Sequence, residues 1–280
     1  MHFKLGSFDL DVISDGDWWM DGGTIFGVVP RVLWQELAAP DELNRIRLGL
    51  NSLLVRTGRH TVLIEAGMGS KLDAKFKQHH NFGEGKLLDE MAALGVTPDD
   101  VDAVILSHLH FDHAGWCTVR EGDGYRPTFP NATYIVQQRE WDAATRPNSQ
   151  TRAGYHREDF DALPRSDQLK LIEGDVEVTG GITCQLTGGH SDGHQSVLVE
   201  SEGRVACFCG DIYCTTWHTR PNYITAYDLY PAETFRLKQD LLAEAEEEGW
   251  ILVWVHETGV PAGTIRKDGK RYAAVPLETS

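Results

Sequence analysis

Between Ser107 and Gly115 the chain reads SHLHFDHAG, so four side chains of metal-ligand type, His108, His110, Asp112 and His113, fall within six residues. The segment follows 101–106, an apolar run broken only by Asp102, of the kind carried by a buried strand. In extended backbone, side chains two apart share a face, so His108, His110 and Asp112 would point together. His113 would then face elsewhere, towards a second ion. On a helix His108 and His110 would lie on nearly opposite sides, which argues for a strand end or loop. A lone histidine carries little weight, since most are surface residues or satisfied core groups. Three imidazoles and a carboxylate side by side are costly to bury unless something binds them. Imidazole together with carboxylate suits zinc and neighbouring divalent ions.

Further donors stand at the ends of other expected strands. Thr187 to His194 reads TGGHSDGH and offers His190 in a glycine-rich turn. Asp211 closes the apolar stretch before Gly210, and His256 closes the last one. Each alone could be a cap or turn former. Recurring in order after the dense cluster, they reinforce one another.

The rest of the chain alternates short apolar strands with amphipathic helices, with no internal repeat or Ser/Pro-rich linker, so a single domain over 1–280 is expected. The stretch 51–65 reads as a hairpin around Thr57 and Gly58. A helix is expected over 83–94, with Leu87, Leu88, Met91 and Leu94 on one face and Gly95 as its stop. Strands are expected over 101–106, 133–136, within 169–186, at 196–200 and 205–209 around a Glu202–Gly203 turn, and at 251–255. A helix should start at Pro231 and end before Gly249. The segment 15–36, with Trp18, Trp19, Met20, Phe26 and Trp34 among glycines, has no clean period of either kind. It reads as an irregular, Trp-rich apolar segment that forms a pocket wall or a homodimer contact.

HLHFDH, then TGGHSDGH, a Gly-Asp pair and a late strand-ending histidine together resemble the metallo-β-lactamase superfamily over roughly residues 45 to 260. That resemblance implies an α/β fold, a four-layer αββα sandwich with two divalent metal ions at one edge between the sheets. Carried over by motif, His108, His110 and His190 would hold one ion. Asp112, His113 and His256 would hold the other, and Asp211 would bridge. Zinc is the first candidate, with iron, manganese and cobalt behind it. His194 matches no ligand position and reads as structural. The tract from Gly210 through His218, Pro221, Tyr227, Asp228 and Pro231 is similar to the lactonase and organophosphate-hydrolase-like branch. One departure stands out: Glu65-Ala66-Gly67 replaces the usual Asp-Thr-Gly or Asp-Ala-Gly, putting a longer carboxylate where the ligands are supported.

The reaction implied is opening of a lactone, such as an acyl-homoserine lactone, by hydroxide generated from a water shared between two ions. Asp112 would orient the nucleophile and shuttle its proton. Tyr213 is the first candidate for a phenol assisting the leaving group, ahead of Tyr223 and Tyr227. The aromatic supply of Trp18, Trp19, Phe26, Phe82 and Trp116 suggests an apolar pocket wall. A thioesterase of the glyoxalase II type and a phosphotriesterase are the rival activities, and a non-catalytic metal-binding protein would need an incomplete ligand set. A formal net charge of −16 counts against the nucleic-acid-processing branch, because an acidic surface repels phosphate. With Asp9, Asp11, Asp15 and Asp17 near the start no secretory signal is expected, and no run is long enough to span a bilayer. Five cysteines without a CxxC pair fit free thiols in the cytoplasm.

Overall fold

The computed structural model describes residues 1–269 and 271–278. The first nine strands are β1 (His2–Leu5), β2 (Phe8–Asp21), β3 (Arg45–Arg56), β4 (Thr61–Ile64), β5 (Ala103–Ile105), β6 (Thr118–Glu121), β7 (Gly124–Pro127), β8 (Thr133–Gln137) and β9 (Leu169–Ile172). Apart from the β6–β7 hairpin they form one sheet, ordered β1-β2-β3-β4-β5-β8-β9. A second sheet runs in sequence order through β10 (Val176–Thr179), β11 (Ile182–Leu186), β12 (Gln195–Ser201), β13 (Arg204–Phe208), β14 (Ile251–Val253), β15 (Ala262–Asp268) and β16 (Arg271–Pro276).

The period-two alternation of these strands builds four layers. Leu53 and Val55 of β3, Val62 and Ile64 of β4 and Ile105 of β5 meet Val197, Val199, Ala206, Phe208, Ile251 and Val253 of the second sheet in one apolar cluster. The intervening Leu54, Leu63 and Val104 point the other way, against Leu87 and Met91 of the helix Leu87–Ala93 and Ala144 of the helix Gln138–Thr145. On the far side Cys207 and Leu252 pack on Leu241, Leu242 and Ala245 of the helix Pro231–Glu248. Both faces of each sheet are covered. That is why the central strands β4, β5 and β14 read as largely apolar runs, and the parallel pairs β4–β5, β5–β8 and β13–β14 sit among the buried ones. The αββα sandwich implied by the resemblance is the architecture found.

Several boundaries differ from the sequence expectation. The helix expected over 83–94 starts only at Leu87, because Asp15 captures the Leu87 backbone N–H from outside the helix. The stretch 169–186 is three strands rather than one region, and the chain changes sheets between β9 and β10. The segment 15–36 is not irregular throughout. Its first part continues β2 as far as Asp21, paired with β3, and a bulge between Ser14 and Asp17 resets the alternation that would have marked it as a strand. Two short helices, Gly22–Phe26 and Arg31–Trp34, complete it. The helix from Pro231 ends at Glu248, with Gly249 in the left-handed conformation that stops it.

All five cysteines are buried free thiols. Among the described residues no helix is long and apolar enough to cross a membrane. The sheets are stitched at one edge, where Asn51 of β3 donates to Val255 O, Gly49 donates to His256 O, and Gln195 of β12 donates to Ser107 O beyond β5. The loops that leave the strands at this edge carry the candidate ligands.

Candidate metal centre

Beyond β5 the chain runs through a bend at Ser107 to an extended His110 and then makes one helical turn, Phe111–Ala114. The change of backbone divides the motif. His108 and His110 converge with His190, whereas Asp112 and His113 converge with His256, and Asp211 joins His108 and His113 in a third grouping. Extended spacing alone had put Asp112 with His108 and His110; the helical turn beginning at Phe111 moves it to the other set.

The separations are short. His110 Nδ1 lies 2.9 Å from His108 Nε2 and 3.2 Å from His190 Nε2. Asp211 faces both sets, with Oδ2 3.3 Å from His190 Nε2 and Oδ1 3.5 Å from His113 Nε2 and 3.2 Å from His256 Nε2. Asp112 Oδ2 is 3.5 Å from the same nitrogens of His113 and His256.

Four of these imidazoles are held by their other nitrogen. His190 Nδ1 donates to Asp228 at 2.7 Å, His256 Nδ1 to Gly49 O at 2.8 Å, and His113 Nδ1 to Glu65 at 3.1 Å. His108 Nδ1 pairs with the Ser107 hydroxyl at 2.9 Å. Such outer partners fix the tautomer and aim the free lone pair at one point. The longer Glu65 side chain reaches from a left-handed backbone conformation, φ 70°, and its second oxygen accepts from Ser107 N at 2.8 Å. Buried Glu140 ties the loops together, accepting from Leu109 N between His108 and His110, from Ser191 Oγ beside His190 and from Tyr155 OH. His194 stands outside the donor groups: its Nε2 accepts from Asp211 N at 3.0 Å, so its Nδ1 donates to Thr187. Gly210 allows that approach, because a Cβ there would fall 2.4 Å from His194 Nε2.

The electrostatics of the two sets differ. Burial, reinforced by neighbouring imidazoles, drives His108 well below its usual pKa and His110 down to about 3, leaving neutral donors. Burial would lower His113 too, but Asp112, Asp211 and Glu65 outweigh it and raise it well above the usual range. Burial would raise Asp112 and Asp211. Instead His113 and His256 hold Asp112 at about 2, and His113, His190 and His256 hold Asp211 well below a normal carboxylate. His113 Nε2 and Asp211 Oδ1 are buried without a hydrogen-bond partner. Buried polar atoms are rarely left so. Orphaned donor atoms, convergent lone pairs and mixed N/O chemistry fit divalent cations.

The centre floors a cavity of about 360 Å³, walled by Trp18, Met20, Ile25, Phe76 and Phe111 on one part and Ala226, Tyr227 and Leu229 on another. Gly154 closes over His110, where a Cβ would meet the ring at 2.7 Å. Of the five aromatics expected to form the wall, Trp18 lines this cavity. Phe26 stacks on Trp34 and packs with Phe82 in a cluster behind it. Trp116 donates its indole N–H to Asp15, and Trp19 lines a separate surface groove beside Arg47.

Tyr213 lies apart from the donor groups. The turn Gly210–Tyr213 carries its ring beneath the second sheet, where the phenol donates to Lys238 O and the side chain is fully buried. Cys214, the next residue, reaches the cavity instead. Tyr223 is also displaced, buried with its phenol accepting from Arg220. Tyr227 is the tyrosine on the cavity wall. Glu140 and the cavity residues Phe76, His80, Gln150 and Thr151 carry no signal in the sequence, because they lie far from the motif and follow no ligand spacing.

Residues 46–256 match the metallo-beta-lactamase superfamily. An N-acyl homoserine lactonase of Bacillus cereus is 35% identical over 170 residues, 57% of this chain and 61% of its own length. One from Rhizobium radiobacter is 33% identical over 177 residues, 61% of this chain and 63% of its own. The chain thus spans about three fifths of the length of these curated relatives. Among solved structures, a probable metal-dependent hydrolase from Staphylococcus aureus superposes with a TM-score of 0.91 at 33% identity, covering 99% of this chain and 100% of the other. With the matched segment running from β3 to the last of the converging histidines, the chain belongs to the metallo-beta-lactamase superfamily.

Proposed function

We propose that this chain is a dinuclear metal-dependent hydrolase that opens lactones, with N-acyl homoserine lactones as the first substrate class. The observation that carries the reading is the cavity floor: seven imidazole and carboxylate groups in two sets, with Asp211 facing both, beneath apolar walls suited to an acyl chain. The similarity to N-acyl homoserine lactonases supports the substrate class. His108, His110 and His190 would hold one ion, Asp112, His113 and His256 the other, with Asp211 between them. Zinc suits this donor set first, and iron, manganese or cobalt next.

Such ions, when bound, would polarise an ester carbonyl and lower the pKa of a water towards neutrality. Asp112, on the cavity floor, orients the attacking water and takes its proton. Burial raises the Tyr227 phenol, so it stays protonated and donates to the departing alkoxide. Trp18, Ile25, Phe76 and Phe111 seat the acyl chain and exclude bulk water. In this reading the enzyme works in the cytoplasm on small esters, without nucleic-acid or membrane partners. Exposed Val28, Val32 and Leu33, 91%, 69% and 55% accessible, support a homodimer contact beside the cavity residue Ile25.

The test is hydrolysis by the metal-reconstituted protein of lactones, thioesters and phosphotriesters, with Tyr227→Phe in parallel. Lactones should be preferred, and the variant should lose about 10²-fold or more in kcat/KM on lactones but little on nitrophenyl substrates, whose leaving group needs no acid. Inertness towards every lactone with brisk thioester cleavage would replace the reading with a glyoxalase II-like one; preference for phosphotriesters would favour the third.

A further inference from the structure

His80 is a polar side chain in an otherwise aromatic part of the cavity wall, and its orientation is fixed from both sides. Its backbone carbonyl accepts from Trp19 N at 2.8 Å, and its ring Nδ1 lies 3.1 Å from Trp19 O. A carbonyl only accepts, so Nδ1 carries the proton and donates. The ring is wedged between Phe76, with centroids 4.3 Å apart, and Trp18, at 5.6 Å. Trp18 in turn packs against His256 of the centre, at 5.9 Å.

With Nδ1 committed, the neutral imidazole has one acceptor left, Nε2, which has no partner among the described residues and is not among the buried orphaned atoms. Burial lowers the pKa of this half-buried ring, so the neutral form prevails near neutrality. Several neighbouring polar groups are engaged elsewhere. Asp112 and Asp211 face the imidazoles of the centre, Thr225 donates to Asp228, and Thr151 Oγ1 accepts from Asn148 N.

Resting on the lactonase reading, we infer that His80 is a specificity-determining residue: through Nε2 it accepts a hydrogen bond from the N–H of a secondary amide attached to the lactone ring. The cavity then selects N-acylated lactones over lactones of equal length that lack the amide. An amide N–H carried into an apolar wall needs an acceptor. A ligand without one leaves Nε2 unpaired, and sites built to bond a substrate N–H or O–H reject analogues lacking it.

The experiment compares N-hexanoyl homoserine lactone with its oxygen analogue, in which an ester oxygen replaces the amide N–H, following ring opening by product mass on the metal-loaded full chain. Wild type should favour the amide by about tenfold or more in kcat/KM. His80→Phe, which keeps a ring against Trp18 and Phe76, should erase most of that preference. His80→Gln, which keeps an acceptor, should restore part of it. A wild type without preference, or a His80→Phe ratio equal to that of wild type, overturns the role of His80 and leaves the lactonase reading intact. Wild type that opens neither ring overturns both. Should His80→Phe not fold, the wild-type ratio and His80→Gln still decide.

Discussion

The two donor sets lie side by side and share one loop, yet their members are held in different electrostatic surroundings. His108, His110 and His190 are three imidazoles: burial drives the first two neutral, whereas Asp211 and Asp228 outweigh burial and raise His190. Asp112, His113 and His256 include a carboxylate, and His113 is pulled upward by three carboxylates around it. Their anchors differ as well. Asp228 and Ser107 serve the first set, Glu65 and the Gly49 carbonyl the second. The contrast teaches that one short motif can feed two chemically distinct positions when the backbone changes from extended to helical inside it, and that each position is tuned by residues remote in sequence.

The comparison breaks most completely at Asp211, which faces both sets. Asp211→Asn should lower metal content at both positions, read by elemental analysis, and cut kcat/KM beyond the roughly 100-fold typical of losing an outer partner. Two equivalents of metal and near-normal turnover would refute a shared role. Removing the ions altogether from the wild type should expose the cost of the uncompensated cluster. Against metal held at about 1,000 times its Kd, chelation should withdraw about 4 kcal/mol of stability, read as a fall in Tm on scanning calorimetry. An unchanged Tm would mean the folded protein has no preference for the ions.

Separating the sets takes a pair of variants. Asp228→Asn should weaken metal binding at the three-imidazole set by about 10- to 100-fold, and Glu65→Gln should do the same at the mixed set, each sparing the other. Titration of cobalt with its visible spectrum as readout distinguishes the two, and identical profiles for both variants would dissolve the distinction. The smallest effect belongs to Tyr213→Phe. Its phenol serves only Lys238 O, so the loss should be about 1 kcal/mol of stability in denaturant unfolding, with metal content and kinetics unchanged. A kinetic loss confined to lactones would return Tyr213 to the chemistry.

What the sequence determined by itself was local. The apolar runs at 101–106 and 251–255 marked buried strands, and Pro231 with Gly249 marked the last helix, because period and punctuation depend on near neighbours in the chain. The HLHFDH cluster identified donor types within one loop for the same reason. The tertiary structure decided the rest. The bulge between Ser14 and Asp17 hid a long strand, since resetting the alternation erases the signal that names it. The Gly210–Tyr213 turn sent one tyrosine under a sheet, while packing left Tyr227 on the cavity wall. His113 takes its anchor from Glu65, 48 residues away, and His190 from Asp228, 38 away. No spacing rule spans such distances. A carboxylate becomes an anchor only when two loops fold to hydrogen-bonding range, and that is a property of the packed sheets rather than of either segment.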